Sequence, residues 1–437
     1  MTVTDLAMPA LPVRDALAHL PVAVIGAGPV GLAAAAELSK RGVPTVVFEA
    51  GEHSATAVRQ WGHTRLFSPW RYLVAPAAER MLAATGWTLS NPDRAPYGTE
   101  LVDEYLAPLA ELLAADIRYR SRVTGVTRRG MDRTRTAGRS STPLVVRVET
   151  DGVVVDHEAR AVIDASGTWS TANGLASNGL DPLGLDPVRD RVVGALPDVL
   201  GTERERFAGR HTVVVGAGHS AANTILRLVD LAKDEPGTTV TWVIRSAAPA
   251  RLWGAGADEL EGRGALGGAL RERVRAGRVA LVDGFEIDAL RSADDESGAV
   301  TIVGRRAGQG FELTADAVVN ATGFRPDLGI LREVRLSLDE IVEAPRALAP
   351  LIDPNEHSCG SVAPHGVDEL SHPEPGLFIA GMKSYGRAPT FLLLTGYEQV
   401  RSLADELAGD RVAARLVQLD LPETGVCSTD VAGGCCA

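Results

Sequence analysis

Lysine is almost missing from this 437-residue chain. Only Lys40, Lys233 and Lys383 stand among its 44 basic residues, and arginine supplies the rest. That skew reads as the coding bias of a GC-rich genome. Acidic residues outnumber basic ones, 56 to 44, for a net charge of −12. A nucleic-acid partner is excluded on that ground, because no basic stripe is available to neutralise phosphates. Cysteine is scarce too, with four in the chain and none before Cys359, so a disulfide-stapled secreted scaffold is excluded. The N-terminus lacks a basic stretch followed by an apolar core and a cleavage site, the pattern of a signal peptide. No apolar run reaches the roughly 20 residues of a spanning helix. The best early candidate, Val22 to Leu38, is broken by Gly26, Gly28, Pro29 and Gly31. The expectation is a soluble, cytoplasmic protein of two or three domains at about 150 residues each, with 45% apolar residues for a sizeable core.

Residues 1–20 read as a loose N-terminal extension. Val22-Ala23-Val24-Ile25 is a short apolar run of strand length. Gly26-Ala27-Gly28-Pro29-Val30-Gly31 follows it, then an alanine-rich helix to about Arg41, with Gly42 as its stop signal. Thr45–Phe48 is a second strand, closed by Glu49, which completes a βαβ opening. The same grammar returns in Thr212–Val215, Gly216-Ala217-Gly218-His219-Ser220-Ala221, a helix to about Leu231, the strand Thr239–Ile244 and Arg245. Ala161-Val162-Ile163-Asp164-Ala165-Ser166-Gly167 and Ala317-Val318-Val319-Asn320-Ala321-Thr322-Gly323 share one strand-and-turn pattern. Leu377–Gly381 is another strand, and a helix is expected near Glu398 to Ala408. Gly254 to Gly268 reads as a mobile glycine-rich loop.

Each fingerprint has a physical reason. Gly26 permits the tight turn, Gly28 lets a pyrophosphate approach the backbone, and Gly31 lets helix and strand pack closely. The helix N-terminus offers free N–H groups and partial positive charge, and Glu49 would accept hydrogen bonds from a ribose diol. The second fingerprint, Gly216-x-Gly218-x-Ser220-Ala221, ends in alanine, which the motif permits. Arg245 stands where a ribose-binding acid is expected; its guanidinium suits the 2′-phosphate of NADP. Two dinucleotide sites in one chain imply a redox relay whose usual hydride holder is a flavin. FAD is expected at the first site and NADPH at the second. The fold expected is α/β, with two Rossmann-like three-layer domains and the NADPH domain inserted in the FAD domain. The boundaries are residues 21–175 and 316–410 for FAD, 176–315 for NADPH, and 411–437 for a flexible cysteine-containing tail.

With Asn320-Ala321-Thr322-Gly323-Phe324-Arg325-Pro326-Asp327, the paired fingerprints resemble the flavin-containing monooxygenases. Trp61-Gly62-His63-Thr64-Arg65-Leu66-Phe67-Ser68-Pro69 and Pro96–Leu106 resemble the bacterial and plant YUCCA-like branch. Phe207-Ala208-Gly209 matches the opening of that family's identifying sequence, whereas Val213 occupies its histidine position. The resemblance implies a monooxygenase using NADPH and O2. Hydride passes to the flavin, and a flavin hydroperoxide then oxygenates a small nucleophilic or carbonyl substrate. Arg65, Thr322, Gly323 and Gly381 are the further cofactor contacts it implies, and Arg71, Arg387 and Lys383 the catalytic candidates beside the flavin. The rival relatives are the pyridine-nucleotide disulfide reductases. No C-x-x-C or C-x4-C pair occurs here, and Gly381-Met382 replaces their usual Gly-Asp.

Cys427, Cys435 and Cys436 crowd the last eleven residues. Clustered tail thiols could bind a soft ion such as trivalent arsenic, or pass electrons to a disulfide or metal ion, which is the alternative reductase function. The whole chain also resembles flavoproteins of bacterial arsenic-resistance gene clusters. Its partners are then a small-molecule substrate, O2 and a trivalent metalloid at the tail. It would act as a monomer or homodimer.

Overall fold

The computed structural model describes residues 17–253, 261–293, 298–353, 364–388 and 391–419. The first sheet is built from β1 (Val22–Ile25), β2 (Thr45–Phe48), β3 (Ile117–Arg118), β7 (Ala161–Asp164) and β16 (Leu377–Ile379), all parallel, in the order β16-β7-β1-β2-β3. Between β3 and β7 the chain forms an antiparallel meander of β4 (Ser121–Arg128), β5 (Leu144–Thr150) and β6 (Val153–Ala159). The second sheet contains β8 (Val192–Val193), β9 (His211–Val215), β10 (Thr239–Val243), β11 (Ala280–Val282) and β15 (Ala317–Asn320), ordered β11-β10-β9-β15-β8. Its own meander is β12 (Phe285–Ser292), β13 (Val300–Arg306) and β14 (Gln309–Ala315).

The two sheets have the same order once β1 is matched with β9 and β7 with β15. This duplication reaches well beyond the two βαβ units seen in the sequence. Parallel strands buried on both faces read as continuous apolar runs, and Val22, Val24, Val213, Val214, Val318 and Val319 are all fully buried. One sequence expectation is corrected here. The strand Ala317–Asn320, assigned from residue 316 to the first domain, pairs with β9 and lies in the second sheet. The chain returns to the first sheet only with β16, beside β7.

Four helices matter to the site: α1 (Pro29–Lys40), α2 (His219–Asp234), α3 (Glu261–Arg275) and α4 (Leu393–Ala408). Helix α3 overturns the loop expected up to Gly268. Gly267 is there for close packing: a Cβ on it would stand 2.0 Å from the carbonyl oxygen of Leu252. Helix α4 starts at Leu393, earlier than expected, so Gly396 and Tyr397 lie inside it. It packs on α1 across the first domain.

Outside the sites, one group sets a pH dependence. His372 is largely buried, its Nδ1 accepts from the Ser337 N–H at 3.3 Å, and burial pushes its pKa down to about 4. The folded value lies below the unfolded one, so the neutral ring is favoured by folding. Stability is then complete above about pH 6.5 and falls as pH drops toward 4, by about 3 kcal/mol. Denaturant melts between those pH values should show this loss. His372→Asn, whose amide oxygen can still accept from Ser337, should flatten it.

Candidate functional site: two facing dinucleotide cradles

At the first cradle Gly26 takes φ +96°, and Gly28 caps α1 in an extended conformation. A Cβ on Gly31 would stand 1.9 Å from the Gly26 carbonyl oxygen, whereas one on Gly28 would meet nothing within 4 Å. The fold therefore needs glycine at position 31. The bare backbone at Gly28 serves something outside the protein, as an approaching pyrophosphate would require. Glu49 locks the loop from the end of β2. One carboxylate oxygen accepts from the Ala27 N–H at 2.7 Å and the other from the Gly51 N–H at 2.8 Å. Its remaining lone pairs suit ribose hydroxyls.

The second cradle has the same plan with its tight contact moved. Gly216 takes φ +137°, and a Cβ there would stand 2.1 Å from the Ala321 carbonyl oxygen. Gly218 is again open on its outer side. Ala221 fits fully buried where the first cradle tolerates only glycine. Ser220 lies in the first turn of α2. Arg245, just past β10, is exposed and donates to the Ser177 carbonyl at 2.9 Å. Both cradles fit a dinucleotide.

Each fingerprint faces a return turn. Ser166 donates to Asp164 Oδ1 through its hydroxyl at 2.6 Å and its N–H at 3.1 Å. Thr322 repeats this on Asn320 Oδ1, at 2.6 and 3.2 Å. The halves differ in charge. Lys383 Nζ reaches Asp164 Oδ2 at 2.7 Å and the Ser166 hydroxyl at 3.0 Å, and both ends of this ion pair are buried. Gly381, at φ +71°, donates its N–H to Gln399 of α4 at 2.8 Å. The Asp164–Ser166 pairing and Asn173, which joins the two domains, were missed in the sequence. Superposing the two A-x-x-[DN]-A-[ST]-G segments would have pointed to the first.

The three catalytic candidates are not brought together: among the described residues no hydrogen bond or ion pair joins them. Arg71 is exposed, paired with Asp93 and stacked over the Tyr72 ring at 4.9 Å. Arg387 pairs with Glu343 at 2.6 Å, and Arg65 donates to the Ala95 carbonyl at 3.1 Å. Lys383 alone sits at the carboxyl ends of the first sheet. Thr322 and Gly323 lie against the second cradle, and Phe67 of the first domain meets His219 of α2 with ring centres 5.0 Å apart. Cys359, Cys427, Cys435 and Cys436 lie outside the described residues. Among the described residues no cluster of three or more metal-ligating side chains occurs, and no helix is long and apolar enough to cross a membrane.

The model of the pyridine nucleotide-disulphide oxidoreductase family matches residues 23–358. The chain belongs to that family. It is thus an FAD-dependent oxidoreductase by class, and the missing cysteine pairs do not set it outside the disulphide oxidoreductases. The matched residues 23–358 contain both glycine fingerprints and no cysteine at all. Among solved structures, bacillithiol disulfide reductase Bdr (YpdA) from Bacillus cereus is 19% identical, with a TM-score of 0.67, over 89% of this chain and 99% of that one. The cadaverine monooxygenase DfoA from Erwinia amylovora is 16% identical, with a TM-score of 0.63, over 92% and 97%. The FAD-dependent monooxygenase nscC of Aspergillus fumigatus is 38% identical over 80 residues, 16% of this chain. The chain spans only 20% of the length of that relative. At these identities the solved neighbours show the shared two-domain fold.

Proposed function

We propose that the protein is a monooxygenase with FAD in the first cradle, using NADPH from the second and O2 as oxidant. Its substrate would be a small nucleophile or carbonyl compound. This extends to the YUCCA-like branch of flavin monooxygenases and to a setting in arsenic or other soft-metalloid resistance, on the motif resemblance alone. The observation that carries the reading is chemical. Two dinucleotide cradles stand in a chain whose first 358 residues hold no thiol, so within that stretch electrons leaving the first cradle have no dithiol to enter.

Bound FAD would take hydride from NADPH and, once reduced, deliver electrons to O2. The chain's own task is to hold, orient and keep dry. Gly28 and the α1 N-terminus would hold the FAD pyrophosphate and Glu49 its ribose. Gly218, Ser220 and the α2 N-terminus would hold NADPH, with Arg245 available to its 2′-phosphate. Lys383 is read as a positioning residue, since it lies buried behind the exposed Ser166 and acts through that hydroxyl.

The test is anaerobic reduction of the FAD-loaded protein by NADPH and by NADH, followed by admission of O2 with candidate substrates. The monooxygenase expects faster reduction by NADPH, and O2 uptake that yields oxygenated product with little H2O2. It also expects full activity from Cys435→Ser/Cys436→Ser. Loss of turnover in that variant, with reduction of a disulfide or metal ion by the parent, would establish the reductase in its place. The Bdr fold likeness keeps that second reading in play.

A further inference from the structure

The chain crosses between its domains twice, and the two crossings lie side by side. The Asn173 N–H donates to the Gly323 carbonyl at 2.9 Å, and the Arg325 N–H to the Thr171 carbonyl at 3.0 Å. Ala172 and Phe324 form an antiparallel bridge between these bonds. The Asn320 amide and the Thr322 hydroxyl both donate to the Asn173 carbonyl, at 2.8 and 3.2 Å. This ribbon leaves directly from the two return turns. It is a strip of chain running from one cradle to the other.

On the ribbon Trp169 lies against Phe324, ring centres 4.8 Å apart and planes inclined by 34°. Trp61, from the first domain, continues the ladder at 6.5 Å. The Trp169 indole N–H donates to Gln60 Oε1 at 2.5 Å, which fixes the plane of the ring. All three rings are only half-buried. In a chain 5% aromatic, that is a concentration of partly exposed aromatic rings at one place. A pin between two linkers would be served by a closed contact; rings left partly exposed suit contact with another planar group.

Resting on the assignment of NADPH to the second cradle, we propose that the Trp169–Phe324 pair is the stacking platform for the nicotinamide end of the dinucleotide. With the pyrophosphate held at Gly218 and the α2 N-terminus and the 2′-phosphate at Arg245, the nicotinamide must leave that cradle on the other side of the pyrophosphate, where the ribbon runs. An electron-rich indole face stacks with a planar ring and attracts it more strongly when it is cationic. The platform therefore favours oxidised NADP+.

The FAD-loaded protein is titrated by calorimetry with NADP+ and with 2′,5′-ADP, which carries the adenine end alone. Trp169→Leu should weaken NADP+ about tenfold and leave 2′,5′-ADP unchanged. Trp169→Phe should stay close to the parent for NADP+, and Phe324→Leu should lose less than Trp169→Leu. Equal weakening of both ligands would mean that the ring merely ties the linkers, and unchanged NADP+ binding would mean that it touches nothing; either overturns the platform. A parent protein that binds neither ligand would instead remove the second-cradle assignment, and the platform with it.

Discussion

Replacing Lys383 by methionine is expected to destabilise the protein by about 3–5 kcal/mol, the cost of stranding one member of a buried ion pair. The side chains of Lys383 and Asp164 are 1% and 0% exposed, and their 2.7 Å contact joins segments 219 residues apart. The length of methionine keeps most of the packing, so the change removes charge and little volume. Asp164 would keep its two bonds from Ser166, but its second carboxylate oxygen would lose the ammonium with no water to replace it. Asp164→Asn alone strands the lysine and should cost a comparable amount.

The second domain supplies the control. Asn320 holds Thr322 with nearly the bonds that Asp164 makes to Ser166, and among the described residues no lysine bonds to it. Lys383→Met combined with Asp164→Asn should therefore recover most of the loss. Urea denaturation of the four proteins as a double-mutant cycle measures the coupling. A single Lys383→Met variant within about 1 kcal/mol of the parent would mean that the pair is not buried as described. A double variant as unstable as the singles would mean that the neutral turn cannot replace the charged one here.

This pair also marks where sequence reading stops. The fingerprints were legible because glycine is demanded locally: Gly26 by its positive φ, Gly31 by an oxygen that a Cβ would strike. Strands such as Thr45–Phe48 were legible because a parallel strand buried on both faces is a short apolar run. Lysine carries no such local signal, since it is almost never fully buried unless paired, and its partner lies in another segment. The meanders went unread for a related reason. Strand β6 opens Val153-Val154-Val155, all exposed, so the alternation expected of a half-buried strand is missing. Arg71 and Arg387 show the limit from another side. Proximity in sequence to flavin-side motifs suggested chemistry, and the fold gives each a surface carboxylate.

Gly28→Ala and Gly31→Ala should both weaken FAD binding strongly, for different reasons that separate ligand contact from fold. A methyl at Gly31 would stand 1.9 Å from the Gly26 carbonyl oxygen, so helix α1 must shift or the turn must open. Overpacking of this kind costs about 1–3 kcal/mol, and the moved N-terminus forfeits charge-assisted bonds to phosphate of about 1.5–3 kcal/mol each. A loss of about a hundredfold in FAD affinity follows, together with a lower denaturation midpoint of the apoprotein. A methyl at Gly28 meets no protein atom within 4 Å. Gly28→Ala should therefore melt with the parent as apoprotein while losing FAD affinity, because the methyl occupies the space of the pyrophosphate. The second cradle predicts a third pattern. Ala221→Gly should leave NADPH binding intact, since the tight contact there is at Gly216, where a Cβ would stand 2.1 Å from the Ala321 oxygen. The helix should pay only about 0.5–1 kcal/mol for the added glycine. Parent-like FAD binding by Gly28→Ala would show that no pyrophosphate lies on that backbone, and the assignment of the first cradle would fall with it.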